Sequence, residues 1–125
     1  MWDFGYNKNK SGIGRSYIMQ YDINNIRDLI RNNNIKWNGH ATQRMLKRNI
    51  ARNDVIYTLM NGEVIEEYPN DYPYPSCLVF CMLSNNFPMH VVCSIGQDKL
   101  WIITVYRPDI FKWHDDYKTR KDVNE

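Results

Sequence analysis

Apolar residues recur at helical spacing in the first half of the chain, beginning with Ile23, Ile26, Leu29 and Ile30. This spacing predicts a helix over residues 22–33 with Asp22 as its N-cap. Two further helices are predicted, one over residues 40–48 after a cap at Asn38, and one that begins at Asn53 or Asp54 and ends at Asn61-Gly62. Residues 35–37 form a short extended link between the first two helices.

Beyond Gly62 the apolar residues lie in short runs that are typical of β-strands. One strand begins at residues 63–66, and three more are predicted over residues 77–83, 89–95 and 100–106, the last in a central position. Phe111, Trp113 and Tyr117 are predicted to pack as a final turn or short helix. Helices followed by a β-meander predict an α+β fold, with N-terminal helices packed on a curved antiparallel sheet.

The chain has 125 residues, which suits one domain. We assign residues 1–18 to an N-terminal extension or leader, residues 19–120 to the domain and residues 121–125 to a polar tail. No apolar run predicts a signal peptide or a membrane span. Cys77, Cys81 and Cys93 have no paired spacing, which favours free, buried thiols and a cytoplasmic protein.

A zinc site formed by the three cysteines and His90 is an alternative for these thiols. The chain lacks a CxxC pair, and all four residues lie in strongly apolar stretches, so this alternative is disfavoured. The sequence therefore predicts no metal and no other cofactor.

Charge is unevenly distributed along the chain, although the net charge is only +2. Between Arg31 and Arg52 six basic residues occur without a single acidic one. Such a block favours a local phosphate-binding surface over a uniformly cationic protein. A merely solvated helix face remains the alternative.

His40, Arg44 and Arg48 are spaced four residues apart in the second predicted helix and therefore share one face, with Gln43 and Lys47 beside it. His40 lies in the first turn, where free N–H groups attract anions. This face suits a bound phosphate, because arginine grips phosphate through a planar fork. The alternative is that Arg44 and Arg48 pair with Glu63, Glu66 or Glu67, while His40 only caps the helix or packs.

His90 lies in an apolar strand, where a histidine is usually a core residue with its hydrogen bonds satisfied. Thr104 and Tyr106 share one face of the last strand, and Arg107 follows at its end. If Ile95 pairs with Lys99, His90 lies opposite Thr104 on that same face; if Gly96 pairs with Lys99, it lies on the other face. We favour the first register. Tyr106 has an alternative role at the edge of the aromatic core.

Histidine, arginine and tyrosine without a metal site suit the cleavage of RNA. One group must take the proton of the 2′-hydroxyl, another must protonate the departing 5′-oxygen, and cations must stabilise the charge on the phosphate. The candidate catalytic residues are His40, Arg44, Tyr106 and His90. The candidate RNA- and phosphate-binding residues are Arg48, Lys47, Thr104 and Arg107.

Several stretches together carry a resemblance to a known family. They are residues 37–50, Asp54-Val55, residues 61–69, Pro75 to Leu78, His90-Val91-Val92 and residues 103–109, with Trp113 and Arg120 following. In this order and spacing, from about Met19 to Arg120, the chain resembles the domain-of-unknown-function family 4258. Such proteins look related to the RelE-like toxins of bacterial toxin–antitoxin systems.

The resemblance implies a compact α+β fold and metal-independent cutting of messenger RNA, often on the ribosome. It also implies a cognate antitoxin as partner, often one with a small zinc-binding domain. Within the motif positions we assign His40 as general base or acid, Arg44 and Arg48 as phosphate clamps, and Tyr106 as a group that orients or stacks on the substrate. His90 is a second acid or base. The modest net charge departs from strongly basic ribosome-dependent toxins.

Two other functions are compatible with the sequence. A non-catalytic interaction module would bind a protein partner through the aromatic and proline-rich loop of residues 68–75 and an exposed sheet edge. An RNA-binding domain without cleavage would use Arg44 and Arg48 for salt-dependent binding.

Overall fold

The computed structural model describes residues 21–122, which form three helices and one five-stranded sheet. In chain order the elements are α1 Ile23–Arg31, β1 Ile35–Trp37, α2 Gly39–Arg48, α3 Arg52–Asn61, β2 Glu63–Tyr68, β3 Ser76–Met82, β4 Pro88–Gly96 and β5 Lys99–Tyr106. The α+β class is therefore confirmed. The leader predicted over residues 1–18 lies outside the described residues, as do residues 123–125.

Polar side chains begin the first two helices as predicted. Asp22 accepts a hydrogen bond from the N–H of Asn24 at 2.9 Å, and Asn38 accepts one from the N–H of His40 at 2.7 Å. The third helix begins earlier than predicted, because Asp54 lies inside its first turn and binds the N–H of Ala51 at 3.3 Å.

Gly62 ends α3, a position where glycine commonly adopts the left-handed conformation. Its backbone is extended, with φ at −95°, so a left-handed conformation is not needed there. An added Cβ would lie 2.3 Å from the carbonyl oxygen of Phe80 and 2.5 Å from that of Thr58. Glycine is therefore required because the chain passes so close to β3.

The sheet has the strand order β1-β5-β4-β3-β2. Residues 35–37 form a strand that pairs parallel with β5, so Ile35 lies beside Leu100 and Trp37 beside Ile102. The predicted antiparallel sheet is therefore wrong at this edge, because β1 pairs parallel with β5. The predicted extended link is itself this strand, so the helices do not all precede the sheet. β4 is the middle strand, and β5 is an interior strand next to it.

The β4–β5 hairpin closes with Gly96 opposite Lys99, not with Ile95 opposite Lys99 as we favoured. Gln97 and Asp98 make the two-residue turn with φ values of 56° and 59°, as a tight hairpin requires. Ile103 is then an extra residue in β5, and this bulge shifts the register by one. As a result His90 lies opposite Tyr106, on the same face of the sheet.

The two faces of the sheet differ in what covers them. The helix face, which carries Val79, Val91 and Ile102, packs against all three helices through Ile26, Ala41, Met45, Val55 and Leu59. The opposite face carries a smaller apolar cluster formed by Tyr68, Leu78, Val92, Ile103 and Trp113.

Trp113 comes from the segment after β5, which folds back over the opposite face. The segment is a short hairpin rather than the predicted turn or helix: Trp113 pairs with Arg120, and the N–H of Lys121 donates to the carbonyl of Lys112 at 2.9 Å. Trp113 is only 2% exposed, but Phe111 is 82% exposed, so the prediction that Phe111 packs is wrong.

None of the helices formed by residues 21–122 is long and apolar enough to cross a membrane. The two longest, α2 and α3, have ten residues each, against about 20 needed for a span.

Candidate functional site

A cleft of about 490 Å³ opens where β5 ends on the opposite face. Four cationic side chains line it together with Tyr106, Trp113 and a single acidic residue, Asp109; the cations are Arg48, Arg107, Lys112 and Arg120. They come from α2, from the end of β5 and from both strands of the C-terminal hairpin. A concave site with such an excess of positive charge is suited to a phosphate group.

Tyr106 forms a hydrogen-bonded pair with His90 behind the cleft. The Tyr106 hydroxyl lies 3.3 Å from Nδ1 of His90, and Nε2 of the same ring lies 2.7 Å from the carbonyl oxygen of Tyr117. Because a carbonyl oxygen only accepts, Nε2 carries the hydrogen and donates to it. Nδ1 is therefore the acceptor for the Tyr106 O–H, and the Tyr106 oxygen keeps its lone pairs for another partner.

Burial sets the charge of both members of this pair. His90 is fully buried, with the rings of Trp113 and Tyr106 centred 4.5 and 5.2 Å from its own. Burial lowers the pKa of His90 to about 4, although the hydrogen bond to Tyr117 opposes the shift. Burial raises the pKa of Tyr106 to about 12. At neutral pH the pair therefore consists of a neutral imidazole and a neutral phenol.

Arg48 and Arg107 are held against each other where β5 ends. The Arg48 guanidinium donates to the carbonyl of Val105 at 2.7 Å, and the Arg107 guanidinium donates to the carbonyl of Arg48 at 3.0 Å. Arg107 also lies over the ring of Phe87, 5.1 Å from its centroid. The two guanidiniums are thus positioned by neutral backbone carbonyls.

A buried carboxylate orients the fourth cation. Glu66 accepts from the hydroxyl of Tyr68 at 2.5 Å and from Nε of Arg120 at 2.9 Å. The Arg120 guanidinium lies over the Trp113 ring, 4.4 Å from its centroid. Burial, followed by the Glu66 carboxylate, raises the pKa of Tyr68, so this hydroxyl stays protonated as a donor.

The alternative, in which the arginines of α2 pair with acids of β2, is wrong for all three acids. Glu63 pairs with Lys118 at 2.8 Å, Glu66 pairs with Arg120, and Glu67 accepts from the N–H of Tyr21 at 2.7 Å. Glu63 and Glu66 therefore pair with cations of the C-terminal hairpin, and Glu67 is held by the backbone before α1.

The structure separates the candidate residues of α2. Only Arg48 lines the cleft, whereas His40, Arg44 and Lys47 are exposed along the helix, and Ala41 and Met45 form its buried side. His40 and Arg48 differ by eight residues, or about 12 Å of helical rise. His40 therefore lies at the first end of α2, whereas Tyr106 of β5 lines the cleft beside Arg48 at the other end. One phosphate cannot contact both His40 and Tyr106.

The remaining candidates lie on the two faces of the sheet. Thr104 is 7% exposed and pairs with Val92, so it is on the face of His90 and Tyr106 but largely covered. Cys77 and Cys93 belong to the helix-face core, away from His90, and all three cysteines are free and buried. Within residues 21–122, no group of three or more histidine, cysteine, aspartate or glutamate side chains is arranged to hold a metal ion.

Sequence reasoning did not include Lys112, Trp113 and Arg120 among the site residues. Their signal was present, since aromatic and basic residues alternate with turn residues from Lys112 to Lys121. The same pattern is equally typical of packing at the end of a domain, because nothing local shows that this segment returns to the sheet.

A family model, Domain of unknown function (DUF4258), matches residues 37–107. The match covers more than half of the 125 residues, and the chain belongs to this family. The comparisons with curated proteins and with solved structures gave no significant match. The matched segment contains Arg48, His90, Tyr106 and Arg107, while Lys112, Trp113 and Arg120 lie beyond its end.

Proposed function

We propose that the protein is a metal-independent endoribonuclease whose reacting phosphate binds in the cationic cleft. The observation that carries this proposal is the Tyr106 hydroxyl, hydrogen-bonded to the buried neutral His90 in a cleft lined by four cations. A hydroxyl backed by an imidazole is a proton-transfer group, and the cations can stabilise charge that builds up on a phosphate.

The arrangement supports a specific order of proton transfers. Tyr106 takes the proton of the RNA 2′-hydroxyl while its own proton passes to Nδ1 of His90. The 2′-oxygen forms a bond to phosphorus, and the bond from phosphorus to the 5′-oxygen breaks, leaving a 2′,3′-cyclic phosphate and a 5′-hydroxyl. Lys112 supplies the proton for the departing oxygen, because the arginine guanidiniums hold theirs too tightly.

The bound phosphate assists this transfer. A buried imidazole with a pKa of about 4 is a weak proton acceptor in the free protein. The negative charge of the phosphate favours the imidazolium, so substrate binding raises the pKa of His90 at the step that needs it. His90 does not touch the substrate in this scheme, and it acts through Tyr106.

His40 and Arg44 have a different role in this proposal. Both are exposed on α2 and lie outside the cleft, in line with Arg48. We assign them to contacts with the RNA backbone away from the cleaved bond. The resemblance to RelE-like toxins supports three further parts of the proposal: messenger RNA as substrate, a cognate antitoxin as partner, and action in the cytoplasm.

The test is incubation of the purified protein with an RNA oligonucleotide in EDTA, with the product ends identified by mass spectrometry. We expect cleavage that leaves 2′,3′-cyclic phosphate and 5′-hydroxyl ends. Tyr106→Phe should lower the cleavage rate by about 10²- to 10⁴-fold, the usual size of a proton-transfer contribution. Tyr57→Phe, at an exposed tyrosine of α3, is the matched control and should cleave normally.

Intact RNA after incubation with folded wild-type protein would overturn the endoribonuclease proposal. RNA binding without cleavage would instead favour an RNA-binding domain.

A further inference from the structure

A second cavity, of about 470 Å³, opens at the other end of α2 and β5. Its walls are aromatic and proline side chains from three separate parts of the chain: Trp37 at the end of β1, Pro73 and Tyr74 in the loop before β3, and Trp101 in β5. The proposed cleavage chemistry uses none of these residues.

The aromatic walls are fixed in place by contacts with the backbone and with a cation. The Trp101 indole N–H donates to the carbonyl of Gly96 at 3.0 Å. The Tyr74 ring lies so close to Gly96 that an added Cβ would be 2.3 Å from it. Arg52 lies over the Trp37 ring, 4.5 Å from its centroid. Such fixed aromatic surfaces suit a flat, uncharged ring that stacks on them.

The cavity also has a polar border. The amide residues Asn38 and Gln97 belong to its lining, with Asn38 also capping α2 through its side-chain oxygen, and Gly39 belongs to the first turn of α2. Amides offer both donors and acceptors, which an unpaired nucleobase can use along its edge. The lining therefore combines stacking surfaces with edge-reading groups.

A line of exposed residues joins this cavity to the cationic cleft. His40 follows the lining residue Gly39, Arg44 comes one turn later, and Arg48 lines the cleft. Successive members are about 6 Å apart along the helix axis. A strand of RNA that follows this row would bring a base to the aromatic cavity while another phosphate lies beside Tyr106.

We propose that the aromatic cavity binds an unpaired nucleobase of the RNA whose phosphate occupies the cationic cleft. This inference rests on the proposed function and adds a base-binding site to it. The row along α2 makes RNA the favoured occupant, because a purely apolar ligand would leave that row without a role.

The test measures binding of a fluorescent 2′-O-methyl RNA of about twelve nucleotides, a length within the range of usual single-strand site sizes. This RNA cannot be cut through its 2′-position. Trp101→Ala and Tyr74→Ala should each raise Kd by about 5- to 150-fold, the usual loss per stacked base. Trp101→Phe should keep most of the affinity, and Tyr57→Ala is the control for an exposed aromatic residue outside the cavity.

A second arm needs no altered protein. Oligonucleotides with one abasic position each are bound to the wild type, and one position should weaken binding as strongly as Trp101→Ala does. In Trp101→Ala, removing that same base should not weaken RNA binding any further. This coupling distinguishes a stacked base from a general loss of stability in the variants.

The outcomes separate the two proposals. If Arg107→Gln weakens binding but neither the cavity variants nor any abasic position does, the base-binding site is wrong and the RNA-binding cleft stands. If the wild type does not bind the oligonucleotide, both proposals fail. The base-binding site would also be overturned if Trp101→Ala weakened RNA binding but every abasic position weakened binding by the same factor in Trp101→Ala as in the wild type.

Discussion

The two faces of the sheet are made from the same strands but have opposite characters. On β4, Met89, Val91 and Cys93 pack into the helix-face core, whereas His90 between them lies on the opposite face beside Tyr106. Alternation along a strand is what allows one segment to serve both faces. The helix face therefore supplies the apolar packing that stabilises the fold, while the opposite face carries buried polar groups that stability alone does not require.

The elements that pack on the two faces of the sheet also differ. Three helices cover one face with apolar side chains. Within residues 21–122, the other face is covered by one short hairpin, which contributes Trp113 to the packing and Lys112 and Arg120 to the cleft. A thin cover with charged side chains leaves room for a cleft, whereas a close-packed helix layer does not.

The largest expected effect on stability comes from the helix face. Leu59→Ala removes a fully buried side chain of α3 and should lower the free energy of unfolding by about 2–5 kcal/mol. Urea denaturation measures this loss. The cleavage rate of the molecules that remain folded should not change, because Leu59 lies on the face away from the cleft.

The matched control is Leu46→Ala on α2, where the leucine is 78% exposed. Its free energy of unfolding should stay within about 0.5 kcal/mol of the wild type. Equal losses in the two variants would contradict a stabilising core on the helix face.

A somewhat smaller effect is expected from His90 as the pH falls. Its pKa is about 4 in the folded protein, below the roughly 6.5 of an unfolded histidine. Between these values the unfolded chain takes up a proton that the folded protein does not, so stability is lost as pH falls through this window. The loss of unfolding free energy should reach roughly 3 kcal/mol near pH 4, because each unit of difference between the two pKa values contributes about 1.36 kcal/mol.

His90→Gln isolates this contribution, because glutamine does not titrate and all other groups are shared. Unfolding free energies of the wild type and the variant, measured in urea from pH 7 to pH 4, should converge as the pH falls. Parallel curves over that range would contradict a buried neutral His90.

Much of the fold follows from local pattern. The caps at Asp22 and Asn38 and the alternation in the strands predict the helices and the meander nearly to their observed ends. The parallel pairing of β1 does not follow, because three residues carry too little pattern and their partner lies 65 positions along the chain. The bulge at Ile103 cannot be predicted from the sequence either, since a β-branched apolar residue fits a regular strand equally well.

The candidate site was predictable in its parts but not in its assembly. Helical spacing does place His40, Arg44 and Arg48 in one row, and Tyr106 and Arg107 do come together at a strand end. Which end of that row meets Tyr106 depends on how α2 lies along β5, which no spacing within the helix determines. The positions of Lys112 and Arg120 in the cleft depend on a hairpin that pairs Trp113 with Arg120.

The most direct test of the account is the ratio of cleavage rates of His40→Ala and Tyr106→Phe on one RNA oligonucleotide in EDTA. Because the account places the reacting phosphate beside Tyr106, Tyr106→Phe should lose at least about a hundredfold in rate. His40→Ala, at the far end of α2, should lose less than about tenfold, as expected for one contact to the RNA backbone. A hundredfold loss in His40→Ala with near-normal cleavage by Tyr106→Phe would contradict the account.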